Sequence, residues 1–249
     1  MNKKVSFQGE LGSYSHQALI EAIPDGEPLP CLSFKGAIDS VRGGDSAFAV
    51  LPVENSTYGR VADIHRLLPD SELFIVKEHF LRVRINLLAK TDVKISEVKS
   101  AVSHPVLLGQ CKNFLDKHDI KGVVGTDTAG SAQLVSRQND NTLAALASPL
   151  SAQIYNLNSL ASGIEDMTNN TTRFLVMSKD HIYPSPSSDL IITSVIFQVR
   201  NLPAALYKAL GGFATNNVNL LKLESYMLGG LPYSVYDKFD FDVPVGKGI

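Results

Sequence analysis

Residues 98–147 read VKSAVSHPVLLGQCKNFLDKHDIKGVVGTDTAGSAQLVSRQNDNTLAALA, and their rhythm decides the fold. Val98–Val102 is a short apolar run of strand type. Ser103-His104-Pro105 follows it, and a helical stretch runs from Pro105 to about Lys117. Proline suits the first turn of a helix, where its missing N–H has no partner to lose. Val123-Val124-Gly125 is a second strand, Thr128–Arg137 a second helix and Thr142–Ala147 a third strand. A strand, a helix and another strand in succession favour parallel pairing, because the helix carries the chain back across the sheet. The stretch predicts an α/β fold with mostly parallel strands.

The same rhythm extends outward. Val5–Phe7 is a first strand, Gly9-Glu10-Leu11-Gly12 a turn, and Ser13–Ile23 a helix stopped by Pro24-Asp25-Gly26. Gly43-Gly44-Asp45 is a turn, and Ala47–Leu51 is a buried strand. Leu73–Phe80 and Leu81–Ala89 are extended, and Arg82–Leu87 alternates with period two. After Met177 the composition shifts. Ser178–Asp189 holds two prolines and four serines and reads as a linker. Leu190–Val199 (strand), Pro203–Ala214 (helix) and Val218–Glu224 (strand) form a small α+β module.

Composition sets the limits. The chain has 249 residues, enough for one large domain or two smaller ones. At 44% hydrophobic and 19% charged it is an ordinary globular chain, not a disordered one. Lys plus Arg is 23 and Asp plus Glu is 25, a net charge of −2, so no cationic surplus exists to bind a nucleic acid. Two distant cysteines, Cys31 and Cys111, are no disulfide framework. No apolar run approaches the ~20 residues of a membrane span, and no signal-peptide core follows Met1-Asn2-Lys3-Lys4. A cytoplasmic protein is expected. The six histidines (His16, His65, His79, His104, His118, His181) show no zinc spacing, so no metal site is expected.

Polar residues gather at the junctions between strands and helices. Gly9–His16, Leu51–Gly59, Ser103-His104-Pro105 and Thr126–Ala129 all offer hydroxyls, amides or helix starts. A turn with an N-cap accounts for any one of them. Four together at strand carboxyl ends describe a crevice for a small anion. Glu165–Phe174 adds hydroxyls, amides and Arg173, whose guanidinium can fork onto a carboxylate.

These residues carry a resemblance. Gly9–Ala18, Leu51–Ser56 with Gly59, Ser103-His104-Pro105 with Gln110-Cys111, and Asn170-Thr171-Thr172-Arg173-Phe174 resemble the motifs of prephenate dehydratase, in the same order over roughly residues 4–178. The resemblance implies a two-lobed catalytic domain of the periplasmic-binding-protein type over residues 1–180. Lobe one would be 1–77 and 165–180, and lobe two 78–164. A linker at 181–189 would lead to an ACT-like regulatory module at 190–249, ferredoxin-like and incomplete.

The implied activity is a carbon–oxygen lyase reaction in phenylalanine biosynthesis. Prephenate would lose carbon dioxide and water and become phenylpyruvate, with no metal or organic cofactor. By the resemblance, Thr172 donates to the leaving hydroxyl. Asn55, Ser56, Thr128, Ser13 and Gln110 contact the substrate, and Arg173 either anchors a carboxylate or braces the motif. Glu54, Asn170 and Phe174 support them, since a bare Glu54 carboxylate would repel a dicarboxylate.

The module at 190–249 resembles an ACT domain in Ala204-Ala205-Leu206 and Glu224-Ser225, near which phenylalanine would bind. It is expected to lack a second helix and a fourth strand, which predicts weakened inhibition. Val243–Ile249 is not expected to be helical, and the third strand is expected within 231–239. A homodimer or homotetramer is implied, with no nucleic-acid or membrane partner. The rival reading is a non-catalytic small-anion binder or sensor of the same two-lobe fold.

Overall fold

The computed structural model describes residues 3–182, 192–200, 202–227 and 236–244. The chain divides into two compact units, Met1–His181 and Ile182–Ile249. The linker expected at 181–189 lies mostly outside the described residues.

The first unit begins with β1 (Lys4–Gln8), α1 (Tyr14–Ala22), β2 (Glu27–Cys31), α2 (Phe34–Gly43), β3 (Phe48–Asn55), β4 (Gly59–Arg60), α3 (Ala62–Leu67) and β5 (Phe74–Arg82). It crosses to β6 (Asn86–Ala89), β7 (Ser100–Ser103), α4 (Pro105–Gln110), α5 (Lys112–Lys117), β8 (Lys121–Val124), α6 (Thr128–Arg137), β9 (Leu143–Ala147), α7 (Pro149–Ile154) and β10 (Asn158–Ser162). It returns with β11 (Thr171–Ser178).

Two sheets result. The first has the order β2-β1-β3-β11-β5, with β4 paired to β3, and the second has the order β10-β6-β9-β7-β8. β1 pairs in parallel with β2 and β3, while β11 is antiparallel to both its neighbours. The result is two open α/β lobes joined by two chain crossings. The crossings are 83–85 and 163–170. The first falls later than the boundary at 77/78 read from sequence, because β5 stays hydrogen-bonded to β11 as far as Arg82.

Each lobe buries its own cores. In lobe one, Phe7 and Phe174 pack with Val5, Leu19, Val50 and Val176, between the sheet and α1. Burial of each such side chain contributes roughly 1.5–3 kcal/mol. In lobe two, Ile85, Leu87, Leu146, Cys111 and Leu115 form the corresponding cluster.

Local chemistry explains the less regular elements. β2 carries Pro28 and Pro30, two residues apart, so both missing N–H positions fall on its outer side. Inward, Glu27 N–H still reaches the Lys3 carbonyl at 3.0 Å. An edge strand tolerates that pattern. Ser33 accepts from Gly36 N–H at the start of α2, and Gly44 ends it in the left-handed region at φ 84°. The single helix expected from Pro105 to about Lys117 is two helices, broken at Cys111. The second crossing breaks it: Asp166 N–H takes the Gln110 carbonyl at 2.7 Å, and Asp166 Oδ2 accepts from Asn113 N–H at 3.3 Å.

The second unit contains β12 (Ile192–Arg200), α8 (Ala205–Thr215), β13 (Lys222–Met227) and β14 (Tyr236–Pro244). Its sheet has the order β12-β14-β13, with both pairings antiparallel. Phe213 of α8 meets Phe197 of β12 at 6.4 Å between ring centroids. The third strand, expected within 231–239, is described over Tyr236–Pro244, and residues 231–235 lie outside the described residues.

Candidate active site

Asn55 closes β3 and organises the site. Its Oδ1 accepts from Thr57 N–H and Tyr58 N–H at 2.9 and 3.0 Å, which folds the tight β3–β4 turn. The same amide's Nδ2 donates to Asn170 Oδ1 at 2.6 Å and to Thr172 Oγ1 at 2.9 Å. Asn55 stands opposite Thr172 in the β3–β11 ladder, just before an irregularity between Arg173 and Phe174. Ser56 Oγ donates to the Asn169 carbonyl at 2.8 Å and accepts from Thr171 N–H at 2.9 Å. The turn after β3 is thus stitched to the chain entering β11, although 115 residues separate Asn55 from Asn170.

Arg173 belongs to the opposite face of β11 by strand alternation. Its Nε donates to Glu78 Oε2 of β5 at 2.9 Å, with only 14% of the arginine side chain exposed. Glu54 stands opposite Arg60 in one ladder and Arg173 in the other. Phe174 is 1% exposed in the lobe-one core.

Other sequence-predicted residues lie along the lobe boundary. Ser13 caps α1 by accepting from His16 N–H at 3.3 Å. Its neighbours Leu11 and Gly12 contact lobe two through Tyr155, Ser148 and Ser151. Tyr58 OH comes within 3.5 Å of the Val106 carbonyl on α4. Thr128 opens α6, which Asp127 caps by accepting from Gly130 N–H at 2.6 Å. Gln110 ends α4 against the second crossing. Among the described residues its buried Oε1 has no hydrogen-bond donor.

The crossings are themselves tied. Glu165 Oε2 accepts from Ile85 N–H at 3.0 Å, joining one crossing to the other. Tyr14 packs against cores of both lobes, and its hydroxyl donates to the Arg84 carbonyl at 2.9 Å. Burial, then the charges of Cys111 and Glu165, push the Tyr14 hydroxyl well above its ordinary pKa. Burial first, then Asp166 and Glu165, raise the Cys111 thiol to about 12, so it is no nucleophile near neutral pH. Burial lowers the His16 imidazole, which stacks on Phe7. Burial also raises Tyr155, followed by the charges of Glu10 and Asp127.

Five sequence-predicted residues lie elsewhere. Ala204 precedes α8 in the left-handed region, Ala205 and Leu206 open that helix, and Glu224 and Ser225 lie on β13, all in the second unit. Sequence reasoning missed Glu78, Ser148, Ser151 and Tyr155. Ser148-Pro149 follows β9 as His104-Pro105 follows β7, so the same junction pattern marks it. Glu78 sits in a strand with no local signal. Among the described residues, no group of three or more His, Cys, Asp or Glu could hold a metal ion. None of their helices is long and apolar enough to cross a membrane.

Comparison with known proteins bears on this geometry. Residues 5–182 match the family model of prephenate dehydratase. A bifunctional N-acyl-homoserine lactone acylase/prephenate dehydratase of Komagataeibacter europaeus is 42% identical over 91% of this chain and 80% of its own length. A chloroplastic arogenate dehydratase/prephenate dehydratase 2 of Arabidopsis thaliana is 39% identical over 94% of this chain, which spans only 63% of that protein. Among solved structures, one described as a novel type of quorum-quenching acylase gives a TM-score of 0.88 at 40% identity, covering 97% of this chain and 87% of that one. Prephenate dehydratase from Arthrobacter aurescens in complex with L-Phe gives 0.84 at 29% identity, covering 97% of this chain and 80% of that one. The family match runs from β1 to beyond β11 and so takes in both lobes, both crossings and the Asn55–Thr172 pair, and on that ground the chain belongs to the prephenate dehydratase family.

Proposed function

We propose that the protein converts prephenate to phenylpyruvate, carbon dioxide and water. One observation carries this reading: Asn55 Nδ2 donates to Thr172 Oγ1 at 2.9 Å. The bond occupies a lone pair of the threonine and leaves its proton free to donate. It also polarises the hydroxyl and so strengthens it as a donor. A free threonine is a weak acid, so Thr172 stabilises the departing hydroxide by hydrogen bonding rather than by complete proton transfer. The C–O bond at C4 breaks as the ring carboxylate leaves as carbon dioxide. The electron pair of that C–C bond completes the aromatic ring, and the hydroxide becomes water on taking a proton.

Ser13, Ser56, Thr128 and Gln110 bind the substrate from both lobes. Asn170 orients Asn55, Glu54 offsets the charge of nearby arginines, and Phe174 packs. Arg173 braces β11 through Glu78. Phenylalanine acts as effector in the second unit near Ala204, Ala205, Leu206, Glu224 and Ser225, and the protein is a homodimer or homotetramer. Calorimetric titration with phenylalanine and light scattering test these two points.

Arogenate differs from prephenate in carrying an ammonium group where prephenate has a keto oxygen. Purified protein is to be given each in turn, with phenylpyruvate and phenylalanine followed as products. Turnover of prephenate supports the reading. Binding without turnover supports the sensor, and turnover of arogenate alone moves the substrate. A second activity has one support, the 42% identity to the bifunctional acylase. Release of homoserine lactone from an N-acyl-homoserine lactone tests it.

A further inference from the structure

The Gly12 peptide is held from both lobes. Within lobe one, its N–H donates to His16 Nδ1 at 3.0 Å. From lobe two, its carbonyl accepts from Ser148 Oγ at 2.5 Å and Ser151 Oγ at 2.9 Å. The adjacent Leu11 carbonyl accepts from Tyr155 OH at 2.7 Å. Ser148 also caps α7, accepting from Ser151 N–H at 3.1 Å. Both serines are at most 1% exposed. The close approach requires glycine. Its φ is +92°, and a Cβ there would lie 2.8 Å from Ser151 Oγ and 3.2 Å from Ser151 Cα.

The position of this network matters. It joins the β1–α1 turn to Ser148 and Ser151 at the start of α7 and to Tyr155 at its end, and none of these residues lies in a chain crossing. Rotation about the crossings at 83–85 and 163–170 opens the boundary only by breaking it. The turn it grips leads directly to Ser13 and the first N–H groups of α1.

We propose that Ser148, Ser151 and Tyr155 are positioning residues that latch Gly12 and hold the lobes closed, bringing the end of α4 and the start of α6 in lobe two up to Ser13 and the Asn55–Thr172 pair in lobe one. This rests on the dehydratase reading above. None of the three touches the reacting atoms. They act through the turn they grip, by raising the fraction of molecules already closed.

The test uses the full chain with the double substitution Ser151→Ala/Tyr155→Phe, which spares the Ser148 cap. Spin labels at Lys35→Cys and Lys121→Cys, in a Cys31→Ser background, report the distance between the lobes, since both lysines are exposed and Cys111 is buried. Loss of two net hydrogen bonds is expected to raise KM about tenfold. kcat stays within twofold, because saturating substrate closes the lobes at the expense of binding. The interlobe distance of the free protein lengthens or broadens and is restored by phenylpyruvate. An unchanged KM together with an unchanged distance overturns the proposal. So does a fall in kcat with the distance unchanged. If the double variant does not fold by circular dichroism, Tyr155→Phe alone keeps the ring and is expected to raise KM about threefold. If the parent protein fails to turn over prephenate, the dehydratase reading fails, and the label distances still decide the latch.

Discussion

Asn55 uses both ends of one amide, and that makes its chemistry specific. The oxygen folds a turn and the nitrogen engages Asn170 and Thr172. Asn55→Asp preserves shape but replaces a donor with a charged oxygen aimed at Asn170 Oδ1. Turnover is expected to fall at least a hundredfold, and stability by about 1–3 kcal/mol. Initial rates and thermal melts check this. Arg173 poses a different question, because a guanidinium that holds a substrate and one that braces a strand respond differently. As a brace it shares its fate with Glu78. Glu78→Ala and Arg173→Ala are expected to lower Tm by similar amounts, with a clear coupling in the double variant. An Arg173→Ala variant with raised KM, beside a Glu78→Ala enzyme of normal KM, contradicts the brace. His16 carries a pH signature. Burial lowers its pKa from the ordinary value of about 6.5, so below that pH the unfolded chain binds a proton that folded His16 refuses. Its contribution to stability is therefore intact above about pH 6.5 and declines as the pH falls toward the lowered value. Melts at pH 7.5 and 5.5 are expected to differ less in His16→Asn, which keeps an acceptor for Gly12 N–H.

Elements were legible in the sequence where one physical signal acted alone. The β7–α4 and β8–α6 junctions announce themselves by an apolar run, a capping residue and a helical period. Thr171–Phe174 announces itself as a motif but not as the strand β11 that carries it. The break at Cys111 was not legible, because its cause lies 55 residues away in Asp166, whose N–H and carboxylate take Gln110 O and Asn113 N–H. Asp166→Ala is expected to free that junction, lower Tm and raise KM through the displaced Gln110, with kcat less affected. β2 was hidden by prolines that an edge strand tolerates and a central one does not. The Asn55–Thr172 contact could be expected only from family resemblance, since strand register across 117 residues follows from sheet order and not from local pattern.

At the scale of the whole molecule, chemistry and architecture meet at the lobe boundary. Lobe one supplies the Asn55–Thr172 pair and the start of α1, while lobe two supplies the end of α4 and the start of α6. The crossings tie them through Glu165, Asp166 and Tyr14. A reaction that needs its water excluded and its carboxylates fixed gains from such a boundary, provided that it closes. The second unit, βαββ in its described residues, is where we propose that phenylalanine acts. The central claim is that the Thr172 hydroxyl, polarised by Asn55, assists loss of hydroxide from prephenate. The most direct measurement is phenylpyruvate formation by the parent protein, Thr172→Ser and Thr172→Ala at equal folded concentration. The account predicts that serine retains measurable turnover, while alanine falls by a factor of at least ~10², in the range of a lost transition-state donor. An alanine variant as fast as the parent contradicts it.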